Sequence, residues 1–239
     1  MKAYIFSIAL LFQFSLCISQ YSLNDYERRF KEKFYYGRPC DGILYLDTVY
    51  HLFPSDSVLR TRGWLKLQCQ DFKGATDDFS EAFSFVNTSD DSAVLYLNRA
   101  ISKLRYNRTG ALEDYTFSIV INPKIGGYKW RGGMFQSDKN YSAALQDYNK
   151  HIEIILGDTA TGNYEIYWFR AEVKYQLKDF TGALADCDNA LRLEPLCGEC
   201  YKLRATIARE TGKHSCYDYE KAVYWGYPEF EELILKFCK

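Results

Sequence analysis

The sequence lacks any charge excess: 30 Lys and Arg stand against 31 Asp and Glu. That balance excludes the basic footprint by which proteins hold nucleic acid or an anionic membrane surface. Histidine is scarce, and His51, His151 and His214 are scattered with no pair at metal-binding or catalytic spacing. No Gly-rich phosphate loop, Gly-x-Ser-x-Gly or His-Glu-x-x-His is present. One Cys-x-x-Cys occurs, at Cys197 and Cys200, without the second pair that a structural zinc site needs. These absences argue against an enzyme and imply neither a cofactor nor a metal. What remains is 26% charged and 47% hydrophobic, the balance of a folded chain rather than a disordered one. Aromatic residues, at 17% with 21 Tyr, are abundant and need a structural home.

The N-terminus is a separate segment. Lys2 precedes an apolar run from Tyr4 to Ile18, broken only by Ser7, Gln13 and Ser15, and the chain turns polar from Gln20. This is the layout of a secretory signal peptide over residues 1–19, shorter than the roughly 20 residues of a membrane-spanning helix. Cleavage is expected after Ser19, and Leu16 directly before Cys17 disfavours lipid attachment. The expectation is an exported protein, periplasmic, envelope-bound or secreted, with no membrane span after cleavage. Removing Cys17 from the eight cysteines leaves Cys40, Cys69, Cys187, Cys197, Cys200, Cys216 and Cys238. In an oxidising compartment some of these should pair, and an odd count leaves one over.

The chain repeats itself. In "TRGWLKLQCQDFKGATDDFSEAF" and "FRAEVKYQLKDFTGALADCDNAL" a small residue (Gly63, Ala171) is followed twelve positions later by Ala75 or Ala183, then seven further on by Ala82 or Ala190. The frame also fits Gly132 with Ala144 and, contracted by one residue, Ala100 with Ala111. The anchors Ala75, Ala111, Ala144 and Ala183 are 36, 33 and 39 residues apart.

A period near 34 with these anchors resembles the tetratricopeptide repeat (TPR) family, in which each unit is a pair of antiparallel helices. The resemblance implies an all-α, TPR-type α-solenoid, a right-handed superhelix of antiparallel hairpins closed by a C-terminal capping helix. Small residues at repeat places eight, twenty and twenty-seven let helices approach, and bulky ones at place twenty-four (Phe79, Tyr148) fill the groove beside them. Proline at place thirty-two (Pro54, Pro123, Pro195) stops the second helix. The expected repeats are 23–56, 56–89, 93–125, 125–158, 164–197 and 198–226, about six within residues 20–226. A cap at 227–239 places Phe230, Leu233, Ile234 and Phe237 on one face. The ending, with Cys216, Asp218, Tyr219, Lys221, Ala222 and Cys238, is similar to small secreted bacterial TPR proteins.

In this frame Cys197 and Cys200 fall in the turn between repeats, not after a strand as a thioredoxin-like site requires. Cys216 with Cys238 would staple the cap to the last repeat, and Cys187 is within reach of Cys200; spacing alone leaves the connectivity open. Acidic pairs such as Asp77-Asp78 and Asp90-Asp91 read as solvated faces or turns. The sequons at Asn87, Asn107 and Asn140 matter only in a eukaryotic chain, and the resemblance of the ending to bacterial proteins implies that they are incidental.

The resemblance further implies a concave groove lined by the first helices, the docking surface for a peptide or protein partner. The residues at its places are Arg60, Trp64, Asn98, Arg105, Lys129, Trp168, Glu172, Tyr175, Lys202 and Arg209. Such a groove suits aromatic or acidic anchors on the partner. Asn98 alone matches a carboxylate clamp, because Trp130 and Phe169 stand where its other members would be. The functional expectation is a non-enzymatic interaction scaffold. The alternatives are a thiol redox or metal-handling envelope protein using Cys197 and Cys200, and a structural subunit of an envelope assembly.

Overall fold

The computed structural model describes residues 40–157 and 163–238. The expected signal peptide and the first half of the first expected repeat, residues 23–39, lie outside these residues. Twelve α-helices and no strand occur among the described residues. The chain divides into two compact units, meeting in sequence at Ile121 and Asn122.

The first unit holds α1 (Asp41–Leu52), α2 (Asp56–Gln68), α3 (Phe72–Ala82), α4 (Ser89–Lys103) and α5 (Arg108–Ile121). The second begins with a 3-10 turn at Pro123–Ile125. It continues through α6 (Gly127–Ser137), α7 (Tyr141–Gly157), α8 (Tyr164–Gln176), α9 (Phe180–Leu193), α10 (Gly198–Thr211) and α11 (Cys216–Tyr224). A second 3-10 turn at Pro228–Phe230 leads into α12 (Glu231–Phe237). Within each unit consecutive helices pack against one another, and in the second α8 also touches α6 and α10.

The hairpin turns show why the repeat recurs. After α2, α6 and α8 one residue adopts positive φ (Gln70, Lys139, Lys178). The next residue (Asp71, Asn140, Asp179) donates its N–H back to Lys66, Phe135 or Lys174. Its own side chain then accepts from the backbone of the following helix, at Gly74, Ala143 or Gly182. Each hairpin thus closes with a helix stop and an N-cap in three residues. The contracted repeat has no positive-φ residue between α4 and α5, and Asn107 caps α5 directly through Gly110.

Close helix approach has a steric signature. A Cβ on Gly63 would lie 2.8 Å from the Phe79 ring, and one on Gly132 would lie 2.7 Å from Tyr148. Where place eight is Ala171, place twenty-four is the smaller Cys187, and both are fully buried. Cys187 is therefore a packing residue, and burial pushes its thiol up to about 12.

A second recurrence joins the paired helices. An arginine one place before the small residue reaches a buried aspartate on the next helix through two bonds. Arg62 meets Asp78, Arg99 meets Asp114, Arg131 meets Asp147 and Arg170 meets Asp186, all at 2.6–2.9 Å. A lysine four residues on adds a second cation to Asp78, Asp114 and Asp186. Asp147 lacks this second cation, because Phe135 stands at that place. Asp78 is thus not part of a solvated face; only its neighbour Asp77 is exposed.

Disulfides join Cys40 to Cys69, Cys197 to Cys200 and Cys216 to Cys238. The last ties α11 to the end of α12, where Phe230, Leu233 and Ile234 pack with Tyr219 and Ala222. The expected reach of Cys187 to Cys200 is corrected: Cys200 is bonded to its near neighbour, and Cys187 is free and buried under α9 packing.

Candidate functional site

Within the second unit a cavity of about 680 Å³ opens between α6, α7 and α8. Lys129, Trp130, Gly133 and Gln136 reach it from α6, Tyr148 from α7, and Glu165, Trp168, Phe169 and Glu172 from α8. Helical spacing explains the set: Glu165, Trp168, Phe169, Glu172 and Gln176 recur at three- and four-residue intervals along one face of α8.

Three features of this cavity run against local stability. Gly133 sits in the interior of α6, where glycine costs roughly 0.5–1 kcal/mol relative to alanine. Its neighbour Gly132 is required by Tyr148, but a Cβ on Gly133 would meet nothing nearer than the Tyr148 hydroxyl at 3.7 Å. The indole Nε1 of Trp168 is buried without an acceptor, which costs roughly 1–3 kcal/mol. Glu172 is held above the ordinary carboxylate range by burial, with Lys202 opposing the shift and Glu199 adding to it. Locally unfavourable choices that converge on one cavity make it the candidate site.

The polar groups are partly satisfied. Lys129 Nζ lies 2.7 Å from Glu165 Oε2 and holds that carboxyl below its usual range. Lys129 also sits over the Phe169 and Trp130 rings, at 5.7 and 6.0 Å from their centroids. Tyr148 donates to Gln136 Oε1 at 2.7 Å, which leaves the Gln136 amide 3.5 Å from Glu172 Oε2. Behind the cavity, burial and then Lys129 hold His151 below its usual pKa, and its Nδ1 has no partner.

Of the residues expected in the groove, Lys129, Trp168 and Glu172 meet in this cavity. Tyr175 lies farther along α8 and donates to Glu210 on α10. Lys202 covers the Tyr227 ring at 4.5 Å and Arg209 the Phe230 ring at 5.5 Å. In the first unit Arg60 is held by Asp56 and by Asp91 at 3.3 Å. Trp64 is 41% exposed with its ring edge against Phe79, and Arg105 is exposed. Asn98 is buried at 5% exposure, so it lies within the helix packing rather than on an open face. Gly133 and Gln136 escaped the reading by place, which took Tyr148 as a packing residue at place twenty-four; the Gly132-Gly133 doublet inside a helix was the available signal.

Cys197 and Cys200 are bonded and buried at 3% and 0% exposure, with Cys197 capping α10 through the Cys200 N–H. Among the described residues no group of His, Cys, Asp or Glu is placed to hold a metal ion. No helix among them is long and apolar enough to cross a membrane.

Paired antiparallel helices with this turn, this steric frame and an open first-helix face define the TPR-type all-α solenoid fold. Solved structures with that fold bear this out. The C-terminal part of a TPR repeat-containing protein from Cytophaga hutchinsonii superposes with a TM-score of 0.67 at 17% identity, covering 87% of this chain and 80% of that one. MamA superposes with a TM-score of 0.57 at 17% identity, over 73% of this chain and 96% of its own. A chain from the APC/C hetero-tetramer Cut9–Hcn1 gives a TM-score of 0.62 at 10% identity, over 79% of this chain but 37% of its own. At these identities the likeness establishes the fold alone. No family model matches the chain, and no curated protein matches it in sequence.

Proposed function

We propose that this chain is an exported, non-enzymatic scaffold that holds a peptide segment of a protein partner on its first-helix face, with the α6–α8 cavity as the docking centre. The observation that carries this reading is the meeting of Lys129, Trp168 and Glu172 around an opening that Gly133 leaves unfilled. Tryptophan and long charged side chains at the centre of a concave site are the usual anchors of protein recognition. Three disulfides support an oxidising compartment and hence export, for which the leader-like segment 1–19 supplies the route. The thiol alternative loses support because exchange needs an accessible sulfur, and those of Cys197 and Cys200 are buried in their bond.

A second reading, a structural subunit contacting its assembly through other surfaces, draws on the exposed Leu196 and Tyr224, at 66% and 76% exposure. A photoreactive amino acid at Gln176, on the cavity margin, separates the two. A protein crosslinked there by wild type and lost with Lys129→Glu/Trp168→Ala, at unchanged helicity, supports docking in the cavity. Equal capture by both proteins overturns it and directs attention to the outer surfaces.

A further inference from the structure

We propose that the α6–α8 cavity selects a basic side chain, arginine or lysine, on the extended peptide it holds, with Glu172 as its counter-ion and the rings of Trp168 and Phe169 as its walls. This rests on the cavity being the docking site. The sign of the anchor follows from which charges are already spent. Lys129 is engaged with Glu165 at 2.7 Å, so the positive charge in the cavity is neutralised within the chain. Among the described residues Glu172 has no such ion-pair partner: its hydrogen bond is from a neutral amide, Gln136 Nε2, at 3.5 Å. The cation that bears on it, Lys202 of α10, is exposed and lies over Tyr227.

An acidic anchor would have to pull Lys129 away from Glu165 and would then face Glu172 in a confined space. A basic anchor does neither, and supplies the charge that a partly desolvated carboxylate lacks. The aromatic faces agree with this sign. Lys129 already lies over the Phe169 and Trp130 rings, so these faces accept a cation in the free protein. Trp168 packs against Phe169 with ring centroids 4.9 Å apart and extends the same surface toward Glu172. The expectation of aromatic or acidic anchors rested on the tryptophans and several cations at the groove's places; the cation among them that lines this cavity, Lys129, is engaged with Glu165.

The test is selection from a randomised octapeptide library on the immobilised, disulfide-intact chain, repeated with Glu172→Gln, Trp168→Phe and Trp168→Ala. The expected result is enrichment of Arg or Lys at one peptide position. An isolated peptide carrying that residue should bind Glu172→Gln about tenfold more weakly, while its glutamine-substituted counterpart binds both proteins alike. Trp168→Phe keeps a ring and should retain most of the selectivity. Enrichment of Asp, Glu or an uncharged residue, still lost with Trp168→Ala, would overturn the basic anchor and leave the cavity as the docking site. Peptide retention indifferent to both positions, or no retention at all, would overturn the anchor and the docking site together.

Discussion

The α2–α3 hairpin of the first unit and the α6–α7 hairpin of the second place different residues directly after the small residue of the first helix. In the first unit that residue is Trp64, 41% exposed, whose indole packs edge-on with Phe79 at 6.2 Å between centroids. In the second it is Gly133, which leaves the face open and admits the cavity. Four places earlier, Arg60 is held between two aspartates of its own unit, while Lys129 is held by one glutamate, Glu165 of α8. The comparison teaches that the repeat frame specifies the hairpins and leaves the face to a few variable places. Under the docking proposal, the residue at this place separates a face carrying an indole from one with an open cavity.

The largest expected effect comes from the buried ion pairs, which differ in redundancy. Arg131→Met leaves Asp147, buried at 5% exposure, without a cation on its carboxylate among the described residues. It should destabilise the second unit by about 3–5 kcal/mol in urea unfolding. Arg62→Met leaves Lys66 on Asp78 and should cost roughly half as much or less. Equal losses would break the comparison. Next, Cys238→Ser opens the 22-residue link to Cys216 and should cost about 3 kcal/mol. Hydrogen exchange should then rise in α12 while α6 to α8 stay protected.

Smaller effects sharpen the contrast at the face. Gly133→Leu should raise stability by about 0.5–1 kcal/mol through helix propensity, yet abolish partner capture by filling the cavity. Trp168→Phe removes an orphaned indole donor and should be neutral or stabilising in thermal unfolding. A marked loss of stability would show that Trp168 is a core residue instead. The smallest effect is alkaline. Tyr175 is pushed up to about 12 by burial and its bond to Glu210, and Tyr201 to about 12 chiefly by its hydrogen bond with Tyr217. Groups raised in the folded state stabilise it below their unfolded values and lose that contribution as pH rises through the folded ones. Stability should therefore hold to pH ~10 and decline toward pH ~12, a decline that Tyr175→Phe should lessen.

The helical hairpins were legible because their causes are local: small residues set by steric contact, and Pro54, Pro123 and Pro195 after helices; the caps Asp71 and Asp179 were not read as such. The Arg–Asp ladder was equally present, at a spacing of fifteen or sixteen residues, but an aspartate beside another acidic residue, as at Asp77-Asp78, reads as solvated until its partner sixteen residues back is considered. The cavity was half legible. Place in the repeat brought Lys129, Trp168 and Glu172 forward, but it did not show that Glu165 occupies Lys129 or that Asn98 is buried. Those facts depend on contacts between helices. Disulfide connectivity was beyond the sequence for the same reason, since the free cysteine is chosen by packing beside Ala171 rather than by spacing.

The central claim is that the α6–α8 cavity receives the partner. The indole ¹⁵N–¹H resonance of Trp168, assigned by its absence in Trp168→Phe, reports on that site directly. On addition of the selected basic peptide this resonance should shift at saturation while that of Trp64 stays in place, and Gly133→Leu should abolish the shift. A peptide that binds without moving the Trp168 resonance would contradict the account.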